Sequence, residues 1–204
     1  MSHPALAHLP TGFLHHGEQM LALVESTKPA VIVELGTFLG ASAIAMARVA
    51  KTWGGVVYCV DTWTGRPKLT KTKLPYKLYF CAANLVIADV APWIRLIPAT
   101  TLQAAAAWTG PPIDLLYVDA DHSYEGCLAD LMAWTPHVRP GGWLVGDDYN
   151  HPTCPGVKRA WDEFGSAHGL TVSHEGTPGT TPAALELVIA EWGLGPPLIA
   201  TSEP

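Results

Sequence analysis

Asp119, Asp121 and His122 stand together as Asp119-Ala120-Asp121-His122, and Asp147 with Asp148 follows after an intervening helical stretch. Carboxylates and an imidazole so grouped can hold a hard cation or move a proton. Asp119, Asp147 and Asp148 form a candidate all-oxygen ligand set for Mg²⁺, with Ca²⁺ or Mn²⁺ as alternatives, since such ions take oxygen donors at ~2.0 to 2.6 Å. An ion held there would bind an acceptor hydroxyl and lower its pKa. His122 is the candidate general base, because an unperturbed imidazole with a pKa of ~6.5 takes a proton near neutral pH. The plainer alternatives are that Asp121 caps the helix that follows and His122 is a residue of its first turn, and that the acids contact only the polar groups of a ligand, with no metal.

A second group of residues points to a bound cofactor. The run Val33-Glu34-Leu35-Gly36-Thr37-Phe38-Leu39-Gly40-Ala41-Ser42 reads as a strand turning tightly into a helix, with Gly36 and Gly40 letting the backbone approach a ligand. It lacks the G-x-G-x-x-G order of dinucleotide folds and the Walker lysine, and Glu34 would repel a pyrophosphate. A cationic cofactor without phosphates fits better, with Glu34, Gly36, Thr37, Gly40, Ser42 and Asp119 as its candidate contacts. Asp61, after the next apolar run, is the candidate ribose acceptor, the alternative being a strand-end cap. Trp63 beside it either walls the pocket or simply packs, and Thr100 lies where a hydroxyl could meet an adenine edge. For Glu34, pairing with a buried base is the alternative.

The elements that must position these groups are legible as alternating patterns. Short β-branched runs at Ala30–Leu35, Val56–Val60, Ile94–Pro98, Ile113–Val118, Trp143–Gly146, Leu170–His174 and Leu185–Ala190 read as strands. Helices are expected at Phe13–Ser26, Ala41–Lys51, Tyr79–Ala88, Leu102–Trp108, Tyr124–Trp134 and Val157–His168. This alternation predicts an α/β fold with a mostly parallel sheet and helices on both faces. In such sheets ligands bind outside the carboxyl ends of the strands. Glu34, Asp61, Asp119, Asp147 and Asp148 all fall at those ends, so they are expected to share one cleft.

Composition narrows the partners. With 204 residues, the chain suits a single domain over 1–192, with an N-terminal helical cap near 13–26 and a loose tail at 193–204. A net charge of -6 argues against nucleic acid as a partner. Neither a signal peptide nor an apolar run long enough to span a bilayer is legible, which predicts a cytoplasmic protein without a membrane partner. Cys59, Cys81, Cys127 and Cys154 lie far apart, and free thiols are expected. Between Arg66 and Lys77 sit five of the twelve basic residues, a solvated loop in the plain reading and otherwise a substrate lid or a contact between copies in a homo-oligomer.

The motifs VELGTFLGAS and CVDTW resemble those of class I S-adenosylmethionine-dependent methyltransferases, and the resemblance runs from about Val31 to Ala190. Within that class, IDLLYVDADHSYEGCLADL and VRPGGWLVGDDY look like the metal-associated small-molecule O-methyltransferases that act on catechols, caffeoyl thioesters and macrolide sugars. The resemblance implies a Rossmann-like, seven-stranded sheet with its last strand antiparallel, S-adenosylmethionine as cofactor, and a small-molecule hydroxyl (sugar, phenol or polyketide) as acceptor. In the catechol- and caffeoyl-type enzymes a lysine stands where this chain has His122, so on that point the sugar-methylating relatives look closer. A nicotinamide-dependent oxidoreductase is disfavoured by the glycine order. A metal-dependent hydrolase or hydroxylase on the same scaffold, a metal-free methyltransferase, and a binding module without turnover stay open.

Overall fold

A computed structural model of the chain describes residues 3–10, 17–64, 76–170, 173–175 and 187–193. The β-branched runs form strands β1 (Val31–Leu35), β2 (Val56–Asp61), β3 (Ile94–Pro98), β4 (Ile113–Val118) and β5 (Val138–Gly146), all paired in parallel. The three-residue β6 (Ser173–Glu175) and the longer β7 (Leu187–Glu191) close one edge, β7 running antiparallel to both β5 and β6. The order is β3-β2-β1-β4-β5-β7-β6. The chain thus builds outward from β1 to β3, then returns to place β4 on the other side of β1. The loops that leave β1 and β4 part at this reversal, and a crevice opens between them.

Successive strand residues face opposite sides of the sheet, and the two cores record it. Ile32, Cys59, Leu115 and Tyr117 pack against helices α1 (Gly17–Thr27), α2 (Ala41–Ala50) and α3 (Tyr76–Ile87). Val33, Val60, Leu116 and Val118 pack against α4 (Thr101–Ala106), α5 (Tyr124–Trp134) and α6 (Pro155–His168). Both faces are covered, as strands that read VIVEL and DLLYV require.

The largest departure from the sequence expectation is β5, which begins at Val138 rather than Trp143. Pro140, Gly141 and Gly142 read as a turn, yet Gly141 N–H donates to the Trp192 carbonyl at 2.8 Å and Trp192 N–H donates to Gly142 O at 2.7 Å. The residues after β7 hold this irregular stretch in the sheet, and its register against β4 shifts between Ile113 and Leu115. Part of the expected N-terminal cap (13–16), most of the basic segment (66–75), the turn before β7 and the tail (194–204) lie outside the described residues. Among those described, no helix is long and apolar enough to cross a membrane.

Candidate active site

Gly36 is where the reversal of the sheet becomes a binding surface. Its φ is +90°, and a Cβ there would stand 1.9 Å from the Asp119 carbonyl oxygen, so only glycine lets the ends of β1 and β4 approach this closely. Gly36 N–H donates to Val60 O at 2.8 Å and Asp119 N–H to Leu35 O at 2.9 Å, which continue the sheet bonding one step beyond the strands. Gly40, also at positive φ, is the N-cap of α2 and packs on Cys81 and Leu85 rather than facing the crevice.

Asp61 ties the two neighbouring loops together. One carboxylate oxygen accepts from Phe38 N–H at 2.8 Å, the other from Trp63 N–H at 2.6 Å, and the Trp63 indole donates to Phe38 O at 2.7 Å. A carboxylate has about four acceptor positions, so each oxygen keeps capacity toward the cleft.

Glu34, Thr37 and Ser42 do not reach the cleft wall. Glu34 is fully buried, and it accepts from the Thr37 hydroxyl at 2.6 Å and from the Ser42 hydroxyl by a short bond. Its partners are these hydroxyls and the Cys59 thiol, not the buried base considered as an alternative. Burial pushes its carboxyl up from 4.5 to about 7 against the opposing pull of those hydrogen bonds. These three residues brace the β1–α2 turn from beneath.

The cleft has a volume of about 1380 Å³, and Gly36, Asp61, Trp63, Thr100, Asp119 and His122 all line it. That exceeds the ~300 to 1,000 Å³ usual for one small ligand, leaving room for two partners side by side. Thr100 also caps α4, its hydroxyl accepting from Gln103 N–H at 3.2 Å in a reciprocal capping box. Lys77, at the end of the basic segment, lies over the Phe38 ring at 5.1 Å and reaches the cleft as well.

His122 sits between two acids. Its Nε2 faces Asp119 Oδ1 at 3.3 Å and its Nδ1 faces Asp148 Oδ2 at 3.3 Å. The hydrogen bond to Asp119, then the charges of Asp119 and Asp148, raise the imidazole from 6.5 to about 9 despite partial burial. The two acids therefore favour the cationic ring over the neutral base expected from an unperturbed histidine. Asp119 is itself pushed upward, by burial first and also by the charge of Asp147, while His122 pulls it back. Since 28% of the Asp119 side chain stays open to the cleft, that burial is incomplete.

The expected carboxylate triad does not assemble. Asp147 accepts from the buried Tyr117 hydroxyl at 2.8 Å through one oxygen and from Asp148 N–H at 2.8 Å through the other. Asp148 turns away from it because its own backbone adopts φ +58°. Gly146, just before the pair, is glycine because a Cβ there would strike the Trp161 ring at 2.5 Å. Among the described residues, the metal-binding donors that come within 4.8 Å of one another are those of His122, Asp148 and Cys154. Cys154 was legible only as a free thiol; its place in the loop between β5 and α6, near Asp148, was the available signal. Asp121 is not the helix cap either. Ser123 caps α5, accepting from Gly126 N–H at 3.1 Å, and Asp121 accepts from Ser123 N–H at 2.9 Å just before it.

The arrangement offers a polar floor for a sugar, an ionised pocket beside it, and space for a second molecule. Comparison with known proteins identifies the family and the fold. Residues 33–149 match the family described as Methyltransferase domain. A curated relative, uncharacterized protein y4gI of Sinorhizobium fredii, is 28% identical over 142 residues, or 69% of this chain; the chain spans only 15% of that relative's length. Among solved structures, cofactor-bound Rv0187 from MTB superposes with a TM-score of 0.72 at 22% identity, covering 93% of this chain and 90% of that one. The O-methyltransferase TomG of Streptomyces achromogenes, involved in tomaymycin synthesis and solved with S-adenosylmethionine, gives 0.71 at 20% identity over 95% and 92%. The O-methyltransferase of Bacillus cereus, solved with S-adenosylhomocysteine, gives 0.68 at 20% identity over 92% and 86%. The fold is thus that of the class I S-adenosylmethionine-dependent methyltransferases, and the chain belongs to the methyltransferase-domain family.

Proposed function

We propose that this chain is an S-adenosylmethionine-dependent O-methyltransferase whose acceptor is the hydroxyl of a small molecule. One observation carries the reading: Asp61 and the Asp119–His122 pair open onto the same cleft, on either side of Gly36. The solved structures with this fold that hold S-adenosylmethionine or its demethylated product support the choice of cofactor. When bound, that cofactor supplies a methyl group activated on a sulfonium.

The chain's own residues account for the rest. Asp61 accepts from the ribose hydroxyls with the capacity its backbone bonds leave unused, and Gly36 keeps the floor low enough for the nucleoside to lie flat. The negative charge of Asp119 and Asp148 favours a cationic ligand nearby. His122 is the group placed to take the acceptor's proton, and it can do so only from its neutral form, so its two flanking carboxylates set the pH at which transfer begins. Because the donor atoms of Asp119, Asp147 and Asp148 do not come together as one ligand set, no step is routed through the expected magnesium ion. Holding both partners in line within one cleft supplies the largest rate gain, a contribution that reaches roughly 7 to 11 kcal/mol in well-oriented reactions.

Transfer of label from methyl-labelled S-adenosylmethionine to a panel of phenols, sugars and polyketide alcohols tests the reading. Asp61→Ala is expected to weaken cofactor binding by at least about 100-fold by calorimetry, the low end for two lost hydrogen bonds to a charged group. Unchanged affinity in that variant, or no labelled product with any acceptor, would overturn the proposal.

A further inference from the structure

We propose that His122, Asp148 and Cys154 form a three-ligand zinc site whose fourth position opens into the cleft. The three donors come from two connections: His122 from the loop after β4, and Asp148 and Cys154 from the loop between β5 and α6, which Cys154 ends as the helix N-cap. His122 Nδ1 lies 3.3 Å from Asp148 Oδ2 and 3.6 Å from Cys154 Sγ, and Cys154 Sγ lies 4.0 Å from Asp148 Oδ2. Tetrahedral zinc, with bonds of about 2.0 to 2.3 Å, requires nitrogen–oxygen edges of about 3.3 Å and edges to sulfur of about 3.6 Å. Two of the three edges already have these lengths, and the third closes by a few tenths of an ångström.

A second, independent feature is the ring nitrogen that would not bind the ion. His122 Nε2 faces Asp119 Oδ1 at 3.3 Å, and zinc-bound histidines almost always donate their other ring N–H to a carboxylate, which fixes the tautomer and the ring's orientation. Asp119 therefore aims Nδ1 at Asp148 and Cys154. The donor set also decides which metal fits. One sulfur, one nitrogen and one oxygen suit a borderline-soft ion and not magnesium, which takes oxygen alone at near-octahedral geometry. With the thiolate and carboxylate both charged, the occupied site would be neutral. His122 and Cys154 line the cleft, so an added ligand would come from the acceptor side. That an acceptor hydroxyl fills this position rests on the methyltransferase reading; the binding of zinc does not. With Nδ1 on the ion and Nε2–H given to Asp119, His122 takes the acceptor's proton only in the metal-free chain, and a bound ion would lower the hydroxyl's pKa in its place.

The test uses the whole chain, stripped with a chelator, dialysed, and free of cofactor and acceptor. Co²⁺ is expected to bind with one-to-one stoichiometry and give a thiolate-to-metal charge-transfer absorption in the near ultraviolet, which Zn²⁺ abolishes and Mg²⁺ does not. Cys59, Cys81 and Cys127 are buried while Cys154 is partly exposed, so a thiol reagent on the native chain reports Cys154, and Zn²⁺ should protect it. Cys154→Ser should remove the absorption band and weaken Zn²⁺ binding by more than the ~10- to 100-fold that loss of an outer partner costs, and Asp119→Asn should keep the band and lose ~10- to 100-fold. Co²⁺ binding without a thiolate band, or equal Zn²⁺ affinity in the wild type and Cys154→Ser with its thermal melt unchanged, overturns the site. S-adenosylmethionine affinity is measured separately on the same preparation. Its retention without zinc binding sinks only the zinc site, and zinc binding without it sinks only the methyltransferase reading.

Discussion

Replacing Glu34 by glutamine should flatten the pH dependence of this protein's stability. The carboxyl is fully buried and its pKa rises from 4.5 to about 7, through burial first, with the charge of Asp61 adding to it and the Ser42 and Thr37 hydroxyls and Cys59 opposing. A carboxyl raised in the folded state holds its proton there after the unfolded chain has lost its own. Between 4.5 and about 7 the native state therefore binds more protons, and stability falls as pH rises through that window, levelling off above it. At about 1.36 kcal/mol for each pH unit, the full span comes to about 3 kcal/mol at most. For a chain of this length that corresponds to roughly 6 to 12 °C in Tm. Urea unfolding of the wild type and Glu34→Gln near pH ~4 and pH ~8 measures it. Fixed costs of the amide cancel in the difference between the two pH values, as do the contributions of Asp119 and Asp130, whose carboxyls are also raised. If both proteins lose the same stability on going to the higher pH, then Glu34 ionises normally inside the fold and the account of the β1–α2 turn is wrong.

Two further outcomes are expected. In chelator-treated protein, kcat/KM should climb with pH and level off past a midpoint near 9, because His122 is held protonated first by its bond to Asp119 and then by the charges of Asp119 and Asp148; Asp148→Asn should move that midpoint down, and a rate indifferent to pH across this range refutes the role of His122. Gly36→Ala should cost well over ~3 kcal/mol in chemical denaturation, since its Cβ meets the Asp119 carbonyl at 1.9 Å, whereas Gly54→Ala, at a similar φ with open space around it, should cost only ~1 to 2 kcal/mol. Equal losses in the two variants would show that the close approach of β1 and β4 is not what Gly36 permits.

The sheet was largely legible because its signals are local and periodic. Ile94–Pro98, Ile113–Val118 and Tyr124–Trp134 have the limits that their apolar patterns predict, and the acids at strand ends follow from where an open parallel sheet binds ligands. What pattern could not supply was direction beyond the last strand residue. Alternation assigns a face only while the backbone stays extended. Once Asp148 enters positive φ, its carboxylate parts from that of Asp147 and meets His122 instead. The same limit hid Glu34: its place at a strand end was readable, but the hydroxyls that close over it come from the turn after it and the helix beyond. The shift of His122 was equally out of reach, since it needs two carboxylates from different loops within 3.3 Å of one ring. Conversely, β5 was underestimated because a partner strand remote in sequence overrode a Pro-Gly-Gly run with turn character.

Asp61 is a rivet and, in the function proposed above, a receptor as well. Its carboxylate fastens Phe38 and Trp63, so on that proposal occupancy and local order are thermodynamically linked: a nucleoside drawing on this side chain would bear on both peptide segments, and their amides should exchange with deuterium at rates that change on saturation. Redesign for a different nucleoside at this position would loosen the scaffold together with the contact. Ala120, which also lines the cleft, fastens neither of these segments, and alterations of ligand preference have their room there.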